Sequence, residues 1–230
     1  MSIGLQQAIR EPITSACDWN SIFDVVVIGG GAAGIGVTAS LLRRRPSLRI
    51  AVVEPNDKHY YQPAWTLVGG GAFDVTKTVQ PMSQVMPRGA QWIQAAAAGI
   101  DPESNIVRLA DGRSISCTQL IVCPGLRLAW EQIEGLEETL GKNGVTSNYR
   151  FDLAPYTWSL VRNLKGGKAI FTQPPMPIKC AGAPQKAMYL SCDRWLRNKS
   201  LANIDVEFNS AAAVLFGLPP IRRTHSIGYD

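Results

Sequence analysis

Two stretches of this 230-residue chain hold residue types whose spacing could do chemistry. In the first, Gly29-Gly30-Gly31-Ala32-Ala33-Gly34 places glycine at the first, third and sixth positions, and Glu54 follows 20 residues after Gly34. The first glycine permits a tight turn, the second lets a pyrophosphate approach the backbone, and the third lets helix and strand pack closely. An acid at the distance of Glu54 accepts hydrogen bonds from both ribose hydroxyls and repels a 2′-phosphate. The chemistry is adenine-dinucleotide binding, with an NADP-type ligand disfavoured. A glycine-rich turn without ligand is the bland alternative, and strand, helix and acid together weigh against it.

The second stretch runs Gln173-Pro174-Pro175-Met176-Pro177-Ile178-Lys179-Cys180-Ala181-Gly182-Ala183-Pro184. Three prolines remove three amide donors and only one glycine is present, so this loop is poorly made for a pyrophosphate, and nicotinamide is not expected there. Cys180 instead precedes a helix N-terminus, with Lys179 beside it and Lys186 nearby, and both effects favour thiolate over thiol. A structural cysteine sits more often on an apolar helix face, as Cys192 does with Met188 and Trp195. Cys180 is therefore the candidate reactive thiol.

The elements that must position these residues follow from period and punctuation. Phe23–Ile28 reads as a strand buried on both faces. A helix runs from Ala32 to about Arg45, is stopped by Pro46, and offers its N-terminal amides to phosphate. Arg49–Val53 is the next strand. The loop from Pro55 to Trp65 either covers the cofactor or packs as an ordinary aromatic loop. One short helix is expected within 76–88. Trp92–Ala97 and Asn105–Leu109 read as strands, Asp111-Gly112 as a hairpin turn, and Ser114–Cys117 as its returning arm. Together they form a small antiparallel insertion. Gln119–Val122 is a parallel-type strand ending at Cys123-Pro124-Gly125, where Cys123 either packs or touches cofactor. Residues 125–149 read as a polar, glycine-rich connector. A helix over 154–164, a strand over 168–172 and a helix over 183–197 then begin a second unit. The fold class is α/β: a Rossmann-like dinucleotide-binding domain over 22–150 with that insertion, then part of a second Rossmann-like domain over 151–217. Residues 1–21 form an N-terminal extension and 218–230 a divergent tail.

Composition excludes some classes. With 46% hydrophobic and 18% charged residues the chain is globular. Its net charge of +5 is scattered, much of it at helix ends where cations answer the dipole. No basic and aromatic platform for nucleic acid accompanies it; a membrane surface stays open. No run approaches transmembrane length, and the first twenty residues lack a signal peptide's apolar core. Glu11 and Asp18 speak against a mitochondrial presequence. Five cysteines without C-x-x-C spacing and two histidines give no metal site.

These motifs resemble the sulfide:quinone oxidoreductases, flavoproteins with two dinucleotide domains related to glutathione reductase and type II NADH dehydrogenases. The likeness covers roughly residues 22–217. It is carried by Val52-Val53-Glu54-Pro55, by His59-Tyr60-Tyr61-Gln62-Pro63-Ala64-Trp65-Thr66-Leu67-Val68-Gly69, and most specifically by Pro177 to Lys186. The resemblance implies FAD, which the glycine fingerprint alone does not separate from NAD. It implies that Gly29, Gly31, Ala32, Ala33 and Gly34 hold the pyrophosphate turn and Glu54 the ribose, with Gln62 and the Ala97 backbone completing the contacts. It implies that Cys180 is one of two redox cysteines: sulfide attacks a cysteine disulfide or trisulfide, one cysteine keeps a persulfide, and the electron pair passes through FAD to a quinone. The persulfide sulfur goes on to an acceptor. Such proteins sit peripherally on a respiratory membrane, bacterial cytoplasmic or mitochondrial inner.

The departures lie at the C-terminal end. The partner cysteine, a second FAD-contacting segment and the quinone and membrane region of that family would fall beyond residue 230. Leu218 to Arg223 also lack helical period, so a C-terminally truncated chain is expected. Cys192 is a poor substitute partner, because eight helical residues beyond Pro184 span about 12 Å. An open sheet edge and exposed apolar surface would make such a chain marginally stable and weakly active. Two other readings stay open: an NADH:quinone reductase, and a non-catalytic FAD-binding or interaction fragment.

Overall fold

The structure is a computed structural model that describes residues 22–211. The expectations for 1–21 and for the tail over 218–230 fall outside the described residues. Along the chain, β1 (Phe23–Ile28) leads into α1 (Ala32–Arg44) and β2 (Ile50–Val53). Then come β3 (Lys58–Tyr60), α2 (Trp65–Gly69), β4 (Val79–Pro81), α3 (Met82–Val85) and β5 (Ala90–Ile93). A meander of β6 (Ala97–Asp101), β7 (Ile106–Leu109) and β8 (Ser114–Val122) follows. The last elements are α4 (Leu136–Thr139), α5 (Ala154–Asn163), β9 (Gly167–Gln173), α6 (Ala183–Arg197) and β10 (Ile204–Ser210).

The chain divides into two compact units, one of residues up to 57 with 82–125, the other of 58–81 with the residues from 126 onward. The later unit takes in 58–81 as well. The packing explains this: Trp65 and Val68 form one apolar cluster with Ala154, and Phe151 packs against it.

The first unit is a six-stranded sheet in the order β5-β2-β1-β8-β7-β6. β1 lies between β2 and β8 and is parallel to both, with Val27 opposite Val52 and Ile121. That environment explains its unbroken apolar run: Val26 and Val27 are fully buried, one in each of two core clusters. Strand pairing also corrects two element boundaries. The arm Ser114–Cys117 and the strand Gln119–Val122 are one continuous β8, whose first half pairs antiparallel with β7 and whose second half runs parallel to β1. Conversely, the single strand expected over 92–97 is two: β5 ends at Ile93, Ala95 N–H turns back to the Ile93 carbonyl (2.9 Å), and β6 starts at Ala97. An alanine run carries no period of its own, so turn and strand look alike in sequence.

In the second unit, β9 and β10 pair in parallel, with Phe171 opposite Phe208. Trp195 of α6 is 2% exposed and centres a core with Val161 and Ile204, its indole N–H donating to the Val161 carbonyl (2.8 Å). α2 packs on α5 and α6. An added methyl at Gly70 or Gly71 would strike Leu190 or Trp158.

Candidate cofactor and thiol sites

β1 delivers the glycine turn. Gly29 has φ +101°, and a Cβ there would stand 2.1 Å from the Cys123 carbonyl oxygen. A Cβ on Gly34, in the first turn of α1, would stand 1.8 Å from the Gly29 carbonyl oxygen. The chain's own packing therefore requires both glycines. Gly31 differs, for a Cβ there meets nothing within 4 Å. Nothing in the protein asks for its smallness, whereas a ligand drawn against the backbone would. Gly31, Ala32 and Ala33 are exposed, α1 has no side-chain cap and no acid in its first turn, and the N-terminal amides face outward with their partial positive charge.

Glu54 follows β2. One carboxylate oxygen accepts the Gly30 N–H (2.8 Å), tying the acid to the glycine turn; the other accepts from the Asn56 backbone (2.8 Å) and side chain (2.6 Å). Trp92 donates its indole N–H to the Glu54 carbonyl (2.8 Å) and Glu54 N–H donates to Ile93 (3.1 Å). Ala97 begins β6 four residues after Ile93, beside a bulge between Ala97 and Gly99. So the structure gathers Gly29, Gly31, Ala32, Ala33 and Gly34 in one turn, with Glu54 hydrogen-bonded to it through Gly30 and Ala97 in the strand that follows β5. Cys123 meets that turn through its backbone: its N–H donates to the Ile28 carbonyl (2.7 Å).

Gln62 and Cys180 lie in the second unit. Both line a cavity of about 320 Å³ together with Tyr149, Lys179, Lys186 and the apolar Ile133 and Phe171. The Gln62 amide oxygen accepts a hydrogen bond from the Lys179 ammonium. Cys180 is exposed and has φ +59°; its carbonyl accepts the Ala183 N–H (2.9 Å) as α6 begins. The Tyr149 hydroxyl donates to the Lys179 carbonyl. Burial, and after it the charge of Cys180, push the Tyr149 phenol above its ordinary range. Burial pushes the thiols of Cys117 and Cys192 up. Among the described residues, Cys180 is the one cysteine that lines this cavity, and no cluster of three metal-binding side chains occurs.

Sequence reasoning passed over Tyr149, which it left in a connector, and the link from Gln62 to Lys179. The partners are 30 and 117 residues apart, and no local pattern marks such pairs. The one signal was an aromatic residue in a polar run.

A parallel βαβ unit with this turn and this acid defines a dinucleotide-binding α/β module. The family profile of the pyridine nucleotide-disulphide oxidoreductases matches residues 23–161, and the chain belongs to that family. It is 43% identical over 199 residues to the mitochondrial sulfide:quinone oxidoreductase of Dictyostelium discoideum, covering 85% of this chain and 44% of that protein. With the mouse (Mus musculus) mitochondrial sulfide:quinone oxidoreductase the identity is 38% over 220 residues, covering 95% of this chain and 49% of the relative. The chain thus spans about half the length of the curated relatives it matches. The crystal structure of the sulfide:quinone oxidoreductase from Aquifex aeolicus has the same fold at a TM-score of 0.65 and 22% identity, over 81% of this chain and 42% of that one. The family implies FAD as cofactor, and the open space over Gly31 fits a dinucleotide at the turn.

Proposed function

We propose that the chain is the FAD-binding and thiol-bearing part of a sulfide:quinone oxidoreductase. The observation that carries the proposal is Cys180 lining a cavity together with Lys179 and Lys186, where a nicotinamide domain would have a glycine loop. The likeness to named sulfide:quinone oxidoreductases supports it. In this reading the nucleotide domain (22–150) binds FAD through Gly29, Gly31, Ala32, Ala33 and Gly34 at the pyrophosphate, Glu54 at the ribose, and Gln62 and Ala97 beyond. The following domain (151–217) supplies the redox thiol.

FAD, when bound, supplies a two-electron acceptor that a quinone can reoxidise. Cys180 takes the sulfur: a thiol and hydrogen sulfide together lose two electrons and two protons as an S–S bond forms, leaving a cysteine persulfide. Two electrons and two protons convert the quinone to quinol, so the balance closes. Lys179 and Lys186 draw the hydrosulfide anion toward the cavity. Because no second cysteine among the described residues lines this cavity, a partner thiol and a sulfur acceptor come from elsewhere. No helix among the described residues is long and apolar enough to cross a membrane; in this reading the protein meets its quinone from the membrane surface.

Anaerobic titration with sulfide tests the proposal, following flavin absorbance in FAD-reconstituted protein beside the Cys180→Ser variant. Bleaching in the wild type that is lost in the variant is expected. Bleaching by NADH but not by sulfide would point to an NADH:quinone reductase. Retained flavin that sulfide never reduces would point to a non-catalytic FAD-binding protein.

A further inference from the structure

We propose that Tyr149 is a positioning residue for Cys180, acting through the Lys179 carbonyl to hold the cysteine in the left-handed conformation that keeps its sulfur in the lysine-lined cavity. The left-handed region is one that L-residues other than glycine rarely adopt, so a cysteine there needs its peptides tied on both sides. They are tied. On the far side, the Cys180 carbonyl accepts the Ala183 N–H (2.9 Å). On the near side, the Lys179 carbonyl belongs to the peptide that fixes φ of Cys180, and the Tyr149 hydroxyl donates to that oxygen. Lys179 is held again at its other end, where its ammonium donates to Gln62. Removing the Tyr149 hydroxyl frees the near-side peptide. Cys180 can then relax to extended backbone, and its sulfur leaves the cavity that Lys179 and Lys186 line.

The proposal takes its functional meaning from the reading of Cys180 as the sulfide-reactive thiol, but its test does not depend on that reading. Iodoacetate and iodoacetamide alkylate the same thiolate and differ in charge, so their rate ratio at one cysteine reports the local field and cancels the thiolate fraction. In the wild-type chain, with sites resolved by peptide mass spectrometry, the ratio at Cys180 is expected to exceed that at Cys123. Tyr149→Phe should lower it about three- to tenfold, the population shift that one hydrogen bond supports. The Cys123 ratio should not move. An unchanged Cys180 ratio in a folded Tyr149→Phe protein overturns the proposal.

Should that variant not fold, absorbance titration of tyrosinate decides on folded protein. Burial, and after it the Cys180 charge, raises the Tyr149 phenol, so with that charge removed one tyrosine should ionise at lower pH in Cys180→Ser than in wild type, and coincident curves would refute the placement of Tyr149 beside Cys180 on which the proposal rests. Sulfide-dependent bleaching that survives Cys180→Ser removes the catalytic reading and leaves both of these readouts standing.

Discussion

The molecule contains two strand-to-helix turns of the same architecture and opposite chemistry. Between β1 and α1 the turn works by lacking side chains: Gly29 and Gly34 let backbone atoms meet where no Cβ fits, and Gly31 leaves space above the amides. Between β9 and α6 the turn works through side chains. Prolines at 174, 175 and 177 withdraw amide donors, and a cysteine stands in a backbone conformation usually left to glycine. The difference teaches that the strand-turn-helix frame fixes only where a ligand can be met. In the proposed reading, loop composition decides whether backbone amides or a sulfur atom meet it.

The contrast breaks first at Gly34. Gly34→Val should be the most damaging substitution in the first turn, because its Cβ would stand 1.8 Å from a backbone oxygen that cannot swing aside. A loss of about 3 kcal/mol or more is expected, read by urea unfolding, or failure to fold. Gly31→Ala separates ligand from fold. Its methyl meets open space, so stability should stay within about 0.5 kcal/mol of wild type. FAD affinity should fall about tenfold, equivalent to roughly 1.4 kcal/mol, by fluorescence titration. If Gly31→Ala held FAD as tightly as wild type, the argument that its smallness serves a ligand would fail.

How much of this was legible in the sequence differs between the turns for a physical reason. The first turn is a local device: its glycines, the strand before and the acid after lie within one βαβ stretch, and each has a distinct residue type. Both α1 and α6 were legible too, because Pro46 and Pro184 mark their limits. The hold on Cys180 was not legible. It depends on Tyr149 and Gln62, brought beside Lys179 by tertiary packing over 30 and 117 residues. The division into compact units was obscured likewise, because Trp65 finds its apolar partners Ala154 and Phe151 far along the chain. The alanines at 95–98 concealed the end of β5 and the start of β6, since small apolar residues suit a turn and a strand equally.

The mildest expected effect concerns the buried Cys117 and the half-buried Cys192. Cys117 lies in the core of the first unit, Cys192 packs beside Trp195 in the second, and burial raises both thiols. A raised folded value means that the native state keeps its proton to higher pH than the unfolded chain does. Up to the unfolded thiol range, about pH 8.5, the two states are protonated alike and these groups leave stability level. Above it the unfolded chain ionises first, so stability falls as pH rises toward the folded values. The melting temperature should therefore decline on the alkaline side. Cys192→Ala, while lowering stability at every pH through the lost packing, should flatten that decline. If the Cys192→Ala protein lost stability above about pH 8.5 as steeply as wild type, burial of the Cys192 thiol would not be what shapes the alkaline limb.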